Sequence, residues 1–153
     1  MKQFKVLMLM VLVMLLTACG PKKEAIDEDD FTRIMTNEGF SIVNVEEQFE
    51  KYGHFEEAYL AIDPNNKYQI EFYELEEDEY AKSFYQTNKE KFEQTKTNIS
   101  IETNIDLSDN NRYTLTTGDE YKVISRIEDT VIYLNVNKKY KEEVNIILKK
   151  LGY

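Results

Sequence analysis

The side chains able to carry out chemistry are few in kind. The chain has one cysteine, Cys19, one histidine, His54, and 29 acidic against 19 basic residues. One histidine and one distant cysteine do not make a zinc site. No HExxH, GxSxG, CxxC or phosphate-cradling glycine loop occurs. Carboxylates are abundant, yet glycoside hydrolysis needs two of them placed across a cleft, and no spacing here singles out such a pair. Asp27, Glu28, Asp29 and Asp30 lack the alternating ligands and the glycine of a calcium loop. Asp109, Asn110 and Asn111 offer too few ligands and read as a turn. His54 reads as a surface loop residue. No metal, cofactor or catalytic residue is therefore expected. What remains is recognition chemistry. Gln69, Glu71 and Tyr73 alternate onto one face of a strand, and Lys122, Arg126 and Tyr133 fall on neighbouring strands. Tyrosines on a rigid sheet suit a glycan, peptide or protein partner, so these six residues form the candidate binding face.

Cys19 carries a different chemistry. Residues 1–20 read MKQFKVLMLMVLVMLLTACG: two lysines, an apolar run and a small-residue exit. That is the pattern of an export signal. The run is shorter than the roughly 20 residues a spanning helix needs. Leu16-Thr17-Ala18-Cys19 resembles the lipobox of bacterial lipoproteins. The resemblance covers only this segment. It implies cleavage between Ala18 and Cys19, a diacylglyceryl group on the Cys19 thiol, and an acyl chain on the new amino terminus in some members. Two or more chains anchor stably, since each buried methylene contributes about 0.8 kcal/mol. The remainder of the chain resembles small lipoproteins of Gram-positive bacteria, in YKVISRIEDTVIYLNV and the closing KKLGY. That likeness brings no assigned activity, so only Cys19 is carried over.

The expected organisation is a leader at 1–18, the lipidated cysteine and a short linker at 19–26, and a single domain at 27–153. The linker from Gly20 to Ile26 reaches at most about 25 Å, which keeps the domain near the membrane. The leader holds two of the 19 basic residues and no acid, so 17 stand against 29 in the remainder, a net charge of −12. Such a surface is repelled by nucleic acid and by anionic headgroups. With one cysteine no internal disulfide forms, and the domain must stand on its core.

The elements follow from periodicity. Asp27 caps a helix over 28–38 that shows Phe31, Ile34 and Met35 on one face, and Gly39 ends it. A strand over 40–45 and a polar loop over 46–54 come next. Strands 58–62 and 67–75 flank an Asp63-Pro64-Asn65-Asn66 turn. A long helix over 76–96 presents Ala81, Phe84, Tyr85, Asn88 and Phe92. Residues 98–107 alternate cleanly, with Ile99, Ile101, Thr103, Ile105 and Leu107 on one side, and read as a half-buried strand. Strands over 112–117, 121–127 and 130–136 precede a helix over 138–151 whose core face is Tyr140, Val144, Ile147, Leu148 and Leu151. Hairpin-plus-helix occurs twice, at 59–88 and 121–151.

Hairpin-linked strands predict a largely antiparallel sheet and an α+β class, with the helices on one face. The last strand is apolar on both sides, which keeps an α/β/α sandwich, with the first helix on the far face, as the alternative. The functional expectation is a membrane-anchored extracytoplasmic module of the cell envelope that binds a ligand or protein. A structural accessory of an envelope assembly is the alternative, and a wall or glycan hydrolase comes third.

Overall fold

A computed structural model of the chain describes residues 23–153. The leader, Ala18, Cys19 and the first linker residues lie outside the described residues. Seven antiparallel strands form one sheet in the order β1-β2-β3-β7-β6-β5-β4. They are β1 Ser41–Asn44, β2 Phe55–Ile62, β3 Gln69–Leu75, β4 Ile101–Asp106, β5 Asn110–Thr117, β6 Glu120–Ile127 and β7 Thr130–Asn137. Among the described residues three α-helices pack on it: α1 Glu28–Asn37, α2 Asp78–Glu93 and α3 Lys141–Lys150.

The local chemistry of the chain explains most boundaries. Asp27 accepts from the Asp30 N–H at 2.8 Å, and three acids occupy the first turn of α1. Gly39 ends it at φ +87, a conformation that suits glycine. In the β2–β3 turn the Asp63 carboxylate accepts from the N–H groups of Asn65 and Lys67. Strand β2 starts three residues earlier than its apolar pattern suggests. Phe55 and Glu57 pair with Leu75 and Glu74 across a register shift, so pairing extends the strand where alternation fails. Helix α2 is shorter than expected at both ends, and its N-cap Glu77 makes no side-chain cap bond.

The class is α+β with an antiparallel sheet, as expected. The helices, however, occupy both faces. Phe31 and Met35 of α1 share a core with Val144, Ile147 and Leu148 of α3, over Ile70, Phe72, Val123, Ile132 and Leu134. Ala81, Tyr85 and Phe92 of α2 share a second core with Tyr73, Leu75, Tyr113, Leu115, Ile124 and Val131. Expecting all helices on one face was wrong because the central strands are apolar on both sides: Phe72 and Tyr73, Val123 and Ile124, Val131 and Ile132 point opposite ways, and both sides need cover. In the sandwich it is α2, not α1, that stands alone on the far face. The two hairpin–helix units, β2-β3-α2 and β6-β7-α3, thus send their helices to opposite faces.

Strand β4 also departs from expectation. Its alternation is real, but every residue of it is exposed. It is the sheet edge beyond β5, and no described helix buries it on either face.

Candidate functional site

All six candidate residues lie on the α2 face. Register puts Glu71 beside Tyr133, Tyr73 beside Val131 and Val131 beside Arg126. Their environments divide them into two groups.

Arg126 and Lys122 are under α2 and occupied. Arg126 is fully buried. Its Nε donates to Asn111 Oδ1 at 2.7 Å, Nη1 to the Glu128 carbonyl and Nη2 to the Ser108 carbonyl, both at 2.8 Å. Nη1 also pairs with Asp78, the first residue of α2. Lys122 is 5% exposed, donates to Thr95 Oγ1 at 3.1 Å and pairs with Glu120. Thr95 lies just past the last residue of α2. The two cations of β6 therefore pin the two ends of one helix. Neither has surface to offer a ligand, which corrects their assignment to a wet face: a charge in a strand need not face solvent when a helix end supplies its partner.

Glu71, Tyr73 and Tyr133 instead line the floor of a groove of about 660 Å³. Its walls are Phe49, Tyr52, His54 and Phe55 from one side, and Tyr80, Phe84, Thr87 and Lys91 of α2 from the other. The rings support one another. Phe49 meets Phe55 at 4.9 Å and Tyr73 at 5.2 Å between centroids, and Phe84 meets Tyr73 at 5.0 Å and Phe55 at 5.5 Å. Edge and tilted contacts of this kind hold ring orientation as well as burying area. Gln69 is exposed outside the groove and donates to Glu71 Oε1 at 3.0 Å. The Tyr73 hydroxyl donates to Glu71 Oε2 at 2.5 Å. Burial, then the Glu71 charge, pushes the Tyr73 hydroxyl well above its ordinary value. Burial, followed by the charges of Glu71 and Glu120, does the same to Tyr133. Both phenols stay protonated at neutral pH, as donors beside a carboxylate.

The rim at His54 is built under strain. Gly53 and His54 take φ of +62 and +66, costly for a histidine. The ring stacks on Tyr80 at 3.7 Å and Nδ1 lies 2.8 Å from Glu76 Oε2. Reading 46–54 as a polar loop missed half the groove. The available signal was the crowding of Phe49, Tyr52, His54 and Phe55 around a glycine.

On the α1 face, Asp27, Glu28, Glu46, Glu57 and Glu74 gather beside β2 and β3. No group of three or more His, Cys, Asp or Glu among the described residues is arranged to hold a metal ion. Burial, then Asp129 and Glu56, raises Glu74 to about 6. A folded-state value above the unfolded one means the folded protein binds the proton more tightly. Stability therefore falls as pH rises from about 4.5 through 6, and the penalty is complete above that. Glu74→Gln is expected to raise the unfolding midpoint at pH 7.5 and leave it unchanged at pH 4. Equal midpoints at pH 7.5 would refute it.

No described helix is long and apolar enough to cross a membrane. Comparison with protein families, with curated proteins and with solved structures finds no match to the chain.

Proposed function

We propose that the protein is a lipid-anchored extracytoplasmic binding module of the cell envelope, non-catalytic, that receives its ligand in the aromatic groove between α2 and residues 49–55. The observation that carries this reading is the groove itself: mutually braced rings with a half-buried carboxylate and two phenols at the floor. A concave, mostly apolar site with a few convergent polar groups is the usual form of a small-ligand site. Flat apolar walls over a fixed acceptor suit a ligand with a flat face beside hydrogen-bond donors. A sugar ring and an aromatic peptide side chain share that chemistry. The anchor and location rest on the lipobox resemblance at Leu16-Thr17-Ala18-Cys19.

The test is thermal unfolding of the purified full chain against sugars, wall fragments and short aromatic peptides. A ligand at one hundred times its Kd adds about 2.7 kcal/mol, a rise of roughly 5–10 °C for a domain of this size. Thr87→Trp places a bulky ring at the exposed rim without touching the core, and is expected to abolish the shift while leaving the unliganded midpoint in place. A shift that survives Thr87→Trp and Glu71→Gln together would move the binding site elsewhere. Retention of tritiated palmitate by the wild type and its loss in Cys19→Ser test the anchor.

A further inference from the structure

The edge strand β4 carries an apolar strip that the other described residues leave exposed. Ile99 is 83% exposed, Ile101 67%, Leu107 58% and Ile105 44%. Ile101 and Ile105 share one side of the strand, on the α1/α3 face; Ile99 lies in the turn before it and Leu107 directly after it. Among the described residues the outer backbone edge of β4 pairs with no strand. Leu107 N–H donates to the Asn110 carbonyl, so odd residues direct their backbone groups at β5 and even residues direct theirs outward. The outward N–H and C=O groups of Glu102, Asn104 and Asp106 form a template for another strand. The segment has no proline, lysine or bulge to block pairing, the devices that usually protect an edge.

The occupant is indicated by the pattern itself. Residues 99–107 read Ile-Ser-Ile-Glu-Thr-Asn-Ile-Asp-Leu, and the apolar positions are symmetric about Thr103. Antiparallel pairing of two copies with Thr103 on the two-fold axis sets Ile101 opposite Ile105 and Glu102 opposite Asn104. Within β4 each isoleucine meets an isoleucine, and no acid faces an acid. Moving the axis one residue to Asn104 sets Glu102 opposite Asp106. Moving it to Glu102 sets that carboxylate opposite itself. Like charges directly opposite are destabilising, so only the Thr103 register is compatible in both respects. Glu102 is further restrained by its bonds to the Tyr113 hydroxyl, at 2.7 Å, and to Lys96.

We infer that β4 is the interface of a two-fold homodimer in which two sheets join edge to edge about Thr103. The even residues supply the hydrogen-bonded pairs and the isoleucines of both copies form one continuous apolar face. The interface is isologous, as closed dimers require, and lies at the opposite end of the sheet from β1. It is independent of the groove and its ligand.

The experiment uses the full chain in its own membrane. Thr103→Cys places thiols on the axis, at a non-hydrogen-bonded pair whose Cα atoms lie about 4.5 Å apart, close enough for a disulfide. A non-reducing gel is expected to show a species of twice the mass that the same sample shows under reducing conditions. Wild type run alongside measures any link through Cys19, and Lys82→Cys on α2 is expected to give none. In density-matched detergent, wild type is expected to sediment as a dimer. Asn104→Pro removes an outward N–H that the monomer does not use, and is expected to leave folded monomers whose midpoint, unlike that of wild type, does not rise with protein concentration. Ile101→Lys, a second route, is expected to weaken dimerisation by about tenfold or more, since symmetry counts the change twice. A monomeric wild type, or no cross-link through position 103, overturns the inference. A stronger link from Asn104→Cys than from Thr103→Cys overturns the register.

Discussion

Arg126→Met is expected to lower the unfolding free energy by about 3 kcal/mol, a fall of roughly 10 °C in midpoint. The side chain is fully buried, and its donors serve Asn111 Oδ1 and the carbonyls of Ser108 and Glu128 as well as Asp78. Methionine fills much of the volume but donates nothing. A buried acceptor left without a partner, here Asn111 Oδ1, costs about 1–3 kcal/mol. The half-buried Glu128 carbonyl adds to that, the exposed Ser108 and Asp78 recover water, and relief from desolvating the guanidinium returns part of the cost. Arg126→Lys is expected to recover less than half, because one ammonium cannot span a fork of donors. Thermal unfolding of the three proteins checks this. A methionine variant within 1 kcal/mol of wild type would show that the bonds to Ser108, Glu128 and Asn111 contribute nothing net.

Phe72→Ala is expected to cost as much or more, about 3–5 kcal/mol, by a different route. Phe72 is fully buried near the middle of β3 and stacks on Phe31 of α1 at 4.7 Å between centroids. Truncation opens a cavity between helix and sheet and removes the main ring contact holding α1. Phe72→Leu keeps much of the volume and is expected to cost about half as much. Denaturant titration measures all three. Amide exchange distinguishes this variant from the arginine one: α1 opens preferentially in Phe72→Ala, and the first turn of α2 in Arg126→Met. A Phe72→Ala cost below 1 kcal/mol would mean that α1 docks without this stack.

Much of the architecture was legible because local chemistry and tertiary structure agree. Asp27 caps the helix it was expected to cap, Asp63 builds its turn, and Val144, Ile147 and Leu148 form the core face of α3. The failures share a cause: periodicity reports that a segment is two-sided, not what covers each side. Strand β4 alternates as cleanly as any buried strand, yet lies outside the span of the helices. Arg126 and Lys122 look like solvent-facing charges, and are buried because the ends of α2, distant in sequence, supply their partners. Of the groove, the floor at Glu71, Tyr73 and Tyr133 was visible as strand alternation. The wall at Phe49 and Phe55 was not, since Phe49 comes from irregular backbone and Phe55 lies before the register shift in β2, where the alternation breaks.

The sheet consists of two meanders, β1-β2-β3 and β4-β5-β6-β7, in which each strand pairs with its neighbour in sequence. A single seam joins them, from Glu71 opposite Tyr133 to Glu74 opposite Thr130. Hairpins close over a few residues and form in microseconds, whereas the seam must bring together segments separated by α2 and three strands. Loop-closure entropy sets that step late and makes it slow. Glu71 and Tyr133 are at once partners in the seam and neighbours on the groove floor. The groove therefore does not exist in a chain whose halves have formed but not docked. A ligand that seats on this floor would thus report the final assembly event and, present during folding, would act as a template that draws the two halves together.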